Sequence, residues 1–259
     1  MSALEAILRD KRVEVAARKK ARPESEVRIA AGSAPPPRDF LAALRQRPPA
    51  LIAEVKRRSP SAGIIRPDFD PRAIARAYER AGASAISVLT DEKHFDGSLE
   101  TLRNVRDAVH LPCLQKDFIV DPFQIWEARS FGADAVLLIV AALDDAELRD
   151  LYAVAAEAGI PALVEVHNQA ELDRALKLKG PLVGINNRDL AQMVTSLTTT
   201  AYLIESIPDD RLVVSESGIQ TRDQVQQLRR LGVDAILVGE SLLKQEDLEL
   251  AVRELMGTA

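Results

Sequence analysis

The sequence has one cysteine, Cys113, among its 259 residues, and this scarcity limits what the chain can be. A single cysteine forms neither an intramolecular disulfide nor a multi-cysteine metal site, so the chain suits a reducing compartment and we expect a cytoplasmic protein. Long apolar runs are also lacking. Without an 18-residue apolar run we expect no membrane partner, and the charged N-terminal segment does not resemble a signal peptide.

An excess of basic residues is lacking too. Lys and Arg total 34 against 39 Asp and Glu, a net charge of -5, which excludes the broad basic face of a nucleic-acid-binding protein. The N-terminal segment is predicted to form an amphipathic helix with Leu4, Ile7 and Leu8 on its apolar face. Its basic residues are predicted to be solvated: Arg9, Lys11, Arg12, Arg18, Lys19, Lys20 and Arg22.

Beyond a proline-rich connector at residues 34–38, the chain repeats one unit: a short apolar run, a loop, an amphipathic helix and a glycine. The unit is clearest in AGASAISVL (81–89), FGADAVLLI (131–139) and LGVDAILVG (231–239). In each copy the glycine suits the left-handed position that ends a helix, and a buried strand follows. Weaker copies of the strand are ALIAEVK, PCLQKD, PALVEV, PLVGIN and RLVVSES.

Eight strands apolar on both faces and separated by single helices predict a parallel sheet closed as a (β/α)8 TIM barrel. We expect one domain, residues 1–259, in which 1–49 form an N-terminal helical extension and 50–259 the barrel. The alternative is an open doubly wound sheet. No GxGxxG follows the first strand to support it.

Catalytic groups of such barrels lie where strands end, and the strand ends here are rich in charge. The i, i+2 spacing of Glu54 and Lys56 places both on one face of the first strand. The other polar strand-end residues are Lys116, Asp117, Glu165, Asn186, Arg188, Glu216 and Ser217. One such residue could simply be solvated, but together they predict a site whose shared environment shifts pKa values toward acid–base use.

The last two strand ends predict an anion site. SESGI after the seventh strand and LVGESLL after the eighth supply Gly218, Gly239 and backbone N–H groups near the start of a helix. His94, His110 and His167 have no metal-ligand spacing and are interpreted as solvated or hydrogen-bonded loop residues, so no metal is predicted. Cys113 is interpreted as core.

The motifs together resemble the indole-3-glycerol-phosphate synthase family. They run in order through nearly the whole barrel: IAEVKRRSPSAG (52–63), SVLTDEKHFDGSLETLR (87–103), KDFIVDPFQI (116–125), ADAVLLIV (133–140), ALVEVH (162–167), GINNRDL (184–190), SESGI (215–219) and LVGESLL (237–243). The combination of AEVK, SPS, KDF and GINNRDL is highly specific to that family.

The resemblance implies that 1-(2-carboxyphenylamino)-1-deoxyribulose 5-phosphate is converted to indole-3-glycerol phosphate, carbon dioxide and water, with no cofactor. It implies a catalytic set of Glu54, Lys56, Lys116, Glu165, Asn186 and Ser217. It also implies a substrate-binding set of Ser59, Phe95, Phe118, Leu137, Arg188, Leu190, Glu216, Gly218, Leu237 and Gly239, to which the phosphate loop adds Glu240.

In the mechanism that follows from the resemblance, Lys116 is the acid of ring closure, while Glu54, Lys56 and Glu165 compete for the proton transfers of dehydration. The sequence departs from the family after Leu190, where it reads AQMVTSL, and at Glu240, where some relatives carry serine and where a carboxylate must point away from phosphate. We expect a monomer. The alternatives are a barrel like phosphoribosylanthranilate isomerase, for which Cys113 is misplaced, and a non-catalytic phosphate-binding barrel.

Overall fold

The computed structural model describes residues 3–60, 62–180, 182–189 and 194–258. Its parallel strands close into one barrel, which confirms the predicted (β/α)8 fold. The barrel strands are β1 Ala50–Val55, β2 Ala85–Leu89, β3 Cys113–Lys116, β4 Ala135–Ile139, β5 Ala162–Val166, β6 Leu182–Asn186, β7 Leu212–Glu216 and β8 Ala235–Val238. Each strand pairs with its neighbours in the chain, and β8 pairs with β1. All carboxyl ends therefore open at one mouth.

Helices cover the outside of the barrel, so both faces of every strand are buried. The helices are α1 Ala3–Ala21, α2 Glu24–Ser33, α3 Phe40–Arg45, α4 Pro71–Arg80, α5 Glu92–Phe95, α6 Leu99–Ala108, α7 Pro122–Ser130, α8 Asp145–Glu157, α9 Gln169–Ala175, α10 Thr198–Leu203, α11 Arg222–Arg230, α12 Glu240–Leu243 and α13 Leu248–Met256. Within the described ranges, no helix has the length and apolar character needed to cross a membrane.

The glycines of the clearest repeat copies have the predicted conformation. Gly82, Gly132 and Gly232 have φ angles of 95°, 90° and 87°, in the left-handed region that a side chain disfavours. Each stands two residues after the last residue of a helix and three residues before the first residue of the next strand. The same local rule therefore sets the turn from α4 into β2, from α7 into β4 and from α11 into β8.

The connector at residues 34–38 is fixed to the barrel through its carbonyl groups. Arg106 donates to the carbonyl of Pro36 at 3.0 Å, and Arg129 donates to that of Pro35 at 2.6 Å. Prolines lack a backbone N–H, so this segment joins no sheet and its acceptors bind side chains instead. The extension is thereby held against the helices around β3 and β4.

One prediction about α1 is wrong. Lys11 is 1% exposed instead of solvated, and its Nζ lies 2.8 Å from Asp91 Oδ2, 2.9 Å from Asp117 Oδ1 and 3.0 Å from Glu14 Oε2. Burial lowers the pKa of Lys11, but the Asp117 and Asp91 carboxylates outweigh burial and the pKa lies above its ordinary value. We call Lys11, Glu14, Asp91 and Asp117 the outer cluster. Solvation is confirmed for the exposed residues Arg9, Arg12, Lys19 and Lys20.

Candidate active site

A cavity of about 630 Å³ opens at the carboxyl ends of the strands. Its wall includes nearly all of the residues that the sequence singles out: Glu54, Lys56, Phe95, Lys116, Phe118, Leu137, Glu165, Asn186, Arg188, Glu216, Ser217, Gly218, Leu237, Gly239 and Glu240. Residues far apart in the chain thus meet at one mouth because every strand delivers its last residues there.

One residue of the predicted set lies elsewhere, and a second is not among the described residues. Ser59 is buried in a small hairpin after β1, formed by Arg58–Ser59 and Gly63–Ile64, and its Oγ accepts the Ala62 N–H at 3.1 Å instead of lining the cavity wall. Leu190 lies outside the described residues.

The end of β1 supplies an ion pair. Glu54 and Lys56 lie on one face as their spacing predicts, and the Lys56 ammonium contacts the Glu54 carboxylate. Gly239, at the end of β8, leaves room for that carboxylate, because a Cβ atom there would overlap Glu54 Oε1. The φ angle of Gly239 is -131°, which any residue can adopt. The glycine is therefore required by the close approach of Glu54 and not by its own backbone conformation.

The centre of the site is a second buried ionic group. Lys116 Nζ, at the end of β3, lies 2.6 Å from Glu216 Oε2 and 3.4 Å from Glu165 Oε2. The two glutamate side chains are at most 3% exposed, whereas the Lys116 side chain is 17% exposed and faces the cavity. We call Lys116, Glu165 and Glu216 the inner cluster.

Burial and neighbouring charges split the two carboxylates of the inner cluster. Burial raises the pKa of each, but for Glu165 the Lys116 ammonium and His167 outweigh burial, so its pKa lies below the ordinary value. For Glu216 burial wins, aided by the negative charge of Glu165, and its pKa rises to about 7. Burial also opposes the charge of Lys116, yet Glu216 and Glu165 raise the Lys116 pKa above its ordinary value. At neutral pH, therefore, Lys116 is an ammonium, Glu165 is a carboxylate, and Glu216 can gain or lose a proton.

The loop after β6 is held by its own side chains. Asn186 Oδ1 accepts the backbone N–H of Arg188 at 3.0 Å, and the Arg188 guanidinium lies 3.4 Å from the Thr195 hydroxyl. Thr195 also lines the cavity, although the sequence gives no pattern that marks it. Arg188 adds a positive charge to the mouth.

The loops after β7 and β8, where the sequence predicts an anion site, both line the cavity. Ser217 and Gly218 have φ angles of 68° and 79°, an arrangement that redirects the chain immediately after β7. Gly239 precedes the short helix α12. The Glu240 carboxylate contacts Lys244 Nζ at 2.6 Å, and this contact keeps the pKa of Glu240 below its ordinary value. Lys244 is a cavity residue that the sequence reasoning missed, although its i, i+4 spacing from Glu240 was visible.

Apolar side chains line another part of the cavity wall. The rings of Phe95 and Phe118 lie 6.1 Å apart between centroids at 36° to each other, and Leu137 and Leu237 line the same cavity. Such a slot suits a flat aromatic group.

Cys113 is buried in β3 away from the cavity wall, as predicted, and burial raises the pKa of its thiol. A cysteine acid–base pair of the isomerase kind therefore has no place at this mouth. Within the described ranges, His, Cys, Asp and Glu form no group of three with the geometry to hold a metal ion.

The family model for indole-3-glycerol phosphate synthase matches residues 4–255. The chain belongs to the indole-3-glycerol phosphate synthase family. It is 51% identical over 245 residues to the indole-3-glycerol phosphate synthase of Acidithiobacillus ferrooxidans, with 93% of each chain covered. It is 52% identical over 263 residues to that of Roseiflexus sp., with 98% of each covered. Family membership makes the chain a decarboxylating lyase of tryptophan biosynthesis.

Solved structures of other enzymes share the fold alone. The 3-hexulose-6-phosphate synthase of Salmonella typhimurium matches with a TM-score of 0.65 at 12% identity, covering 81% of this chain and 97% of that one. A tryptophan synthase α-subunit mutant from Pyrococcus furiosus matches with a TM-score of 0.61 at 16% identity, covering 80% and 98%. The family assignment rests on the sequence relatives, and these neighbours support only the barrel.

Proposed function

We propose that the cavity closes the ring of 1-(2-carboxyphenylamino)-1-deoxyribulose 5-phosphate, releasing carbon dioxide and water and forming indole-3-glycerol phosphate. The observation that carries this proposal is the inner cluster, which brings an ammonium and two differently titrating carboxylates to the wall of a cavity of about 630 Å³. Family membership supplies the overall reaction. The assignment of roles to residues is ours.

The substrate lies with its phosphate at the loops after β7 and β8 and its benzoid ring in the apolar slot. Backbone N–H groups near Gly218 and Gly239 bind the phosphate oxygens. Phe95 and Phe118 flank the ring together with Leu137. The family resemblance adds Leu190 to this set, a residue outside the described ranges. Binding of these remote groups fixes the reacting carbons next to Lys116.

Ring closure is the first chemical step. An aromatic ring carbon attacks the C2′ carbonyl, a carbon–carbon bond forms, and the electron pair of the carbonyl moves onto its oxygen. The Lys116 ammonium donates a proton to that oxygen. The raised pKa of Lys116, which Glu216 and Glu165 maintain against burial, keeps this group charged before the step.

Decarboxylation follows because closure leaves a positively charged iminium in the substrate. The bond to the carboxylate breaks, carbon dioxide leaves, and the electron pair moves toward the iminium nitrogen. The substrate itself is therefore the electron sink. Arg188, fixed by Asn186 and Thr195, offsets the charge of the carboxylate while the substrate is bound.

Dehydration completes the indole and needs a base for the ring proton and an acid for the leaving hydroxyl. Glu54, Lys56 and Glu165 are the candidates. The lowered pKa of Glu165, where Lys116 and His167 outweigh burial, suits a base. The Glu54–Lys56 pair suits proton delivery to the hydroxyl. Asn186 and Ser217 orient the hydroxyl and amine groups of the substrate.

We further propose that the protein acts as a monomer in the cytoplasm, with a phosphorylated small molecule as its partner. The direct test of the function is turnover by purified protein supplied with the carboxyphenylamino substrate and with neither cofactor nor metal added. Appearance of indole absorbance and fluorescence with release of carbon dioxide is expected. Tight binding of the substrate with no indole formed would contradict the proposal and favour a non-catalytic barrel.

A further inference from the structure

His167 lies directly behind the inner cluster, although it is not part of the cavity wall. It follows β5 by one residue, and its side chain is 8% exposed. The ring nitrogen Nε2 lies 3.3 Å from Glu165 Oε1, an ion-pair distance outside ideal hydrogen-bond alignment. The other nitrogen, Nδ1, lies 2.9 Å from Glu171 Oε2. The imidazole therefore stands between two carboxylates.

Glu171 is well anchored on α9. Its Oε2 also accepts the backbone N–H of His167 at 2.8 Å, and its Oε1 accepts from the Asn168 side chain at 2.7 Å. The Asn168 side chain in turn accepts the backbone N–H of Glu171 at 3.0 Å. These contacts fix the Glu171 carboxylate and, through it, the His167 imidazole ring. Because each ring nitrogen faces an acid oxygen, the doubly protonated imidazolium is the form that matches both neighbours.

Glu165 is held from two sides. Its Oε1 faces His167, whereas its Oε2 faces Lys116 at 3.4 Å. Lys116 is closer to Glu216, at 2.6 Å, so Lys116 alone would favour ionisation of Glu216. A second cation on the far side of Glu165 shifts that preference toward Glu165.

We infer that His167 is a positioning residue: held by Glu171, it orients the Glu165 carboxylate and makes Glu165, and not Glu216, the ionised partner of Lys116. The inference rests on the proposed function for its effect on turnover. The charged groups that bear on it are Glu165 on β5, Glu171 on α9 and, beyond Glu165, Lys116 on β3 and Glu216 on β7. Burial opposes the charge of His167, but Glu165 and Glu171 outweigh burial and raise its pKa to about 10.

The first test follows the histidine itself and requires no turnover. The chain contains three histidines, so His94→Asn and His110→Asn variants assign their NMR signals and leave His167 identified. We expect His167 to stay protonated well above pH 7 and its pKa to fall by at least about one unit in both Glu165→Gln and Glu171→Gln. Titration near the ordinary histidine value, unchanged in both variants, would overturn the inference.

The second test measures the pH dependence of kcat in His167→Asn. Without the imidazolium the pKa of Glu165 rises, so the acidic limb of the profile should move about one pH unit toward neutral. Loss of the contact that orients the Glu165 carboxylate should separately lower kcat near neutral pH about 10-fold. KM should change less than about threefold, since His167 does not line the cavity. His110→Asn is the matched control, because His110 is exposed and lies just before β3. Its kcat, KM and pH profile should match those of the wild type.

Uniform loss of activity with an unmoved acidic limb would show a purely structural role and would overturn the inference, as would wild-type kcat. If His167→Asn does not fold, Glu171→Gln replaces it, because this variant keeps the imidazole ring and removes one charge. The acidic limb of its kcat profile should move in the same direction by a smaller amount. An unmoved limb in Glu171→Gln would also overturn the inference. Failure of the wild type to form indole would instead contradict the proposed function, while the NMR titration would still decide the role of His167.

Discussion

Lys116 and Asp117 are adjacent in the chain and both line the cavity, yet they belong to two different ionic clusters. In the outer cluster, Lys11 has carboxylate oxygens at 2.8, 2.9 and 3.0 Å, and the side chains of Lys11, Asp91 and Asp117 are at most 1% exposed. The Lys116 side chain of the inner cluster is 17% exposed to a cavity. The clusters therefore differ in the exposure of their lysines: Lys11 is enclosed by carboxylates, whereas Lys116 is open to the cavity and can also reach a ligand.

The largest effect is expected from breaking the outer cluster. Lys11→Met leaves the Asp91 and Asp117 carboxylates buried without their ammonium, which costs about 3–5 kcal/mol of unfolding free energy. Urea denaturation measures the loss. The control is Lys19→Met on the same helix, where a 39% exposed side chain pairs with Asp121 and the cost should stay below about 1 kcal/mol. Equal losses in the two variants would show that the outer cluster is not structural.

Breaking the inner cluster should cost activity instead. Lys116→Ala removes the proposed acid of ring closure, so turnover should fall about 100-fold or more while the protein still unfolds cooperatively. Steady-state assays and thermal unfolding measure the two effects. Turnover at the wild-type rate would remove Lys116 from the mechanism.

A smaller loss is expected at the close approach of β8 to β1. In Gly239→Ala the new Cβ displaces the Glu54 carboxylate and hence its pairing with Lys56, so kcat/KM should fall about 10-fold. Gly32→Ala is the control, because a Cβ at that helical position meets nothing within 4 Å. Wild-type kcat/KM in Gly239→Ala would mean that the position of Glu54 is not critical.

The inner cluster should also make the unfolding free energy depend on pH. The Glu216 pKa, raised by burial from 4.5 to about 7, means that the folded protein binds more protons than the unfolded chain between these pH values. The unfolding free energy therefore falls as pH rises through this window, by about 3 kcal/mol. Glu216→Gln should flatten that slope in urea denaturation series. If the slope of unfolding free energy against pH is unchanged in Glu216→Gln, groups other than Glu216 cause the pH dependence.

The smallest effect is expected at Glu240. If backbone N–H groups hold the phosphate, Glu240→Ser should change KM less than about threefold, with a slight decrease because one negative charge leaves the predicted anion site. The carboxylate already pairs with Lys244 at 2.6 Å. A large rise in KM would show that the Glu240–Lys244 pair itself takes part in binding.

Local sequence rules predicted the barrel because each unit repeats the same physical signal. The glycines at 82, 132 and 232 mark helix ends through their φ angles, and the strands are apolar on both faces. Helix α10 carries no comparable local signal. Its sequence, TTTAYL, has low helix propensity, and its buried Thr200 is held by the side chains of Asn187 and Ser215 from two strand ends.

The cavity wall was also largely predictable, since strand-end positions are set by the fold. The residues that pair with the buried charged side chains could not be predicted. A lysine on an N-terminal helix looks solvated until Asp91 and Asp117 are known to lie opposite, and the sequence placed His167 near the mouth without showing Glu171 behind it. Burial of a charge depends on tertiary partners, which spacing within one segment does not reveal.

The most direct measurement is a crystal structure with indole-3-glycerol phosphate bound. The account predicts the phosphate at the backbone of Gly218 and Gly239, the indole ring between Phe95 and Phe118, and Lys116 Nζ facing the newly formed ring. A phosphate bound at Lys116, or a product seated away from the inner cluster, would contradict it.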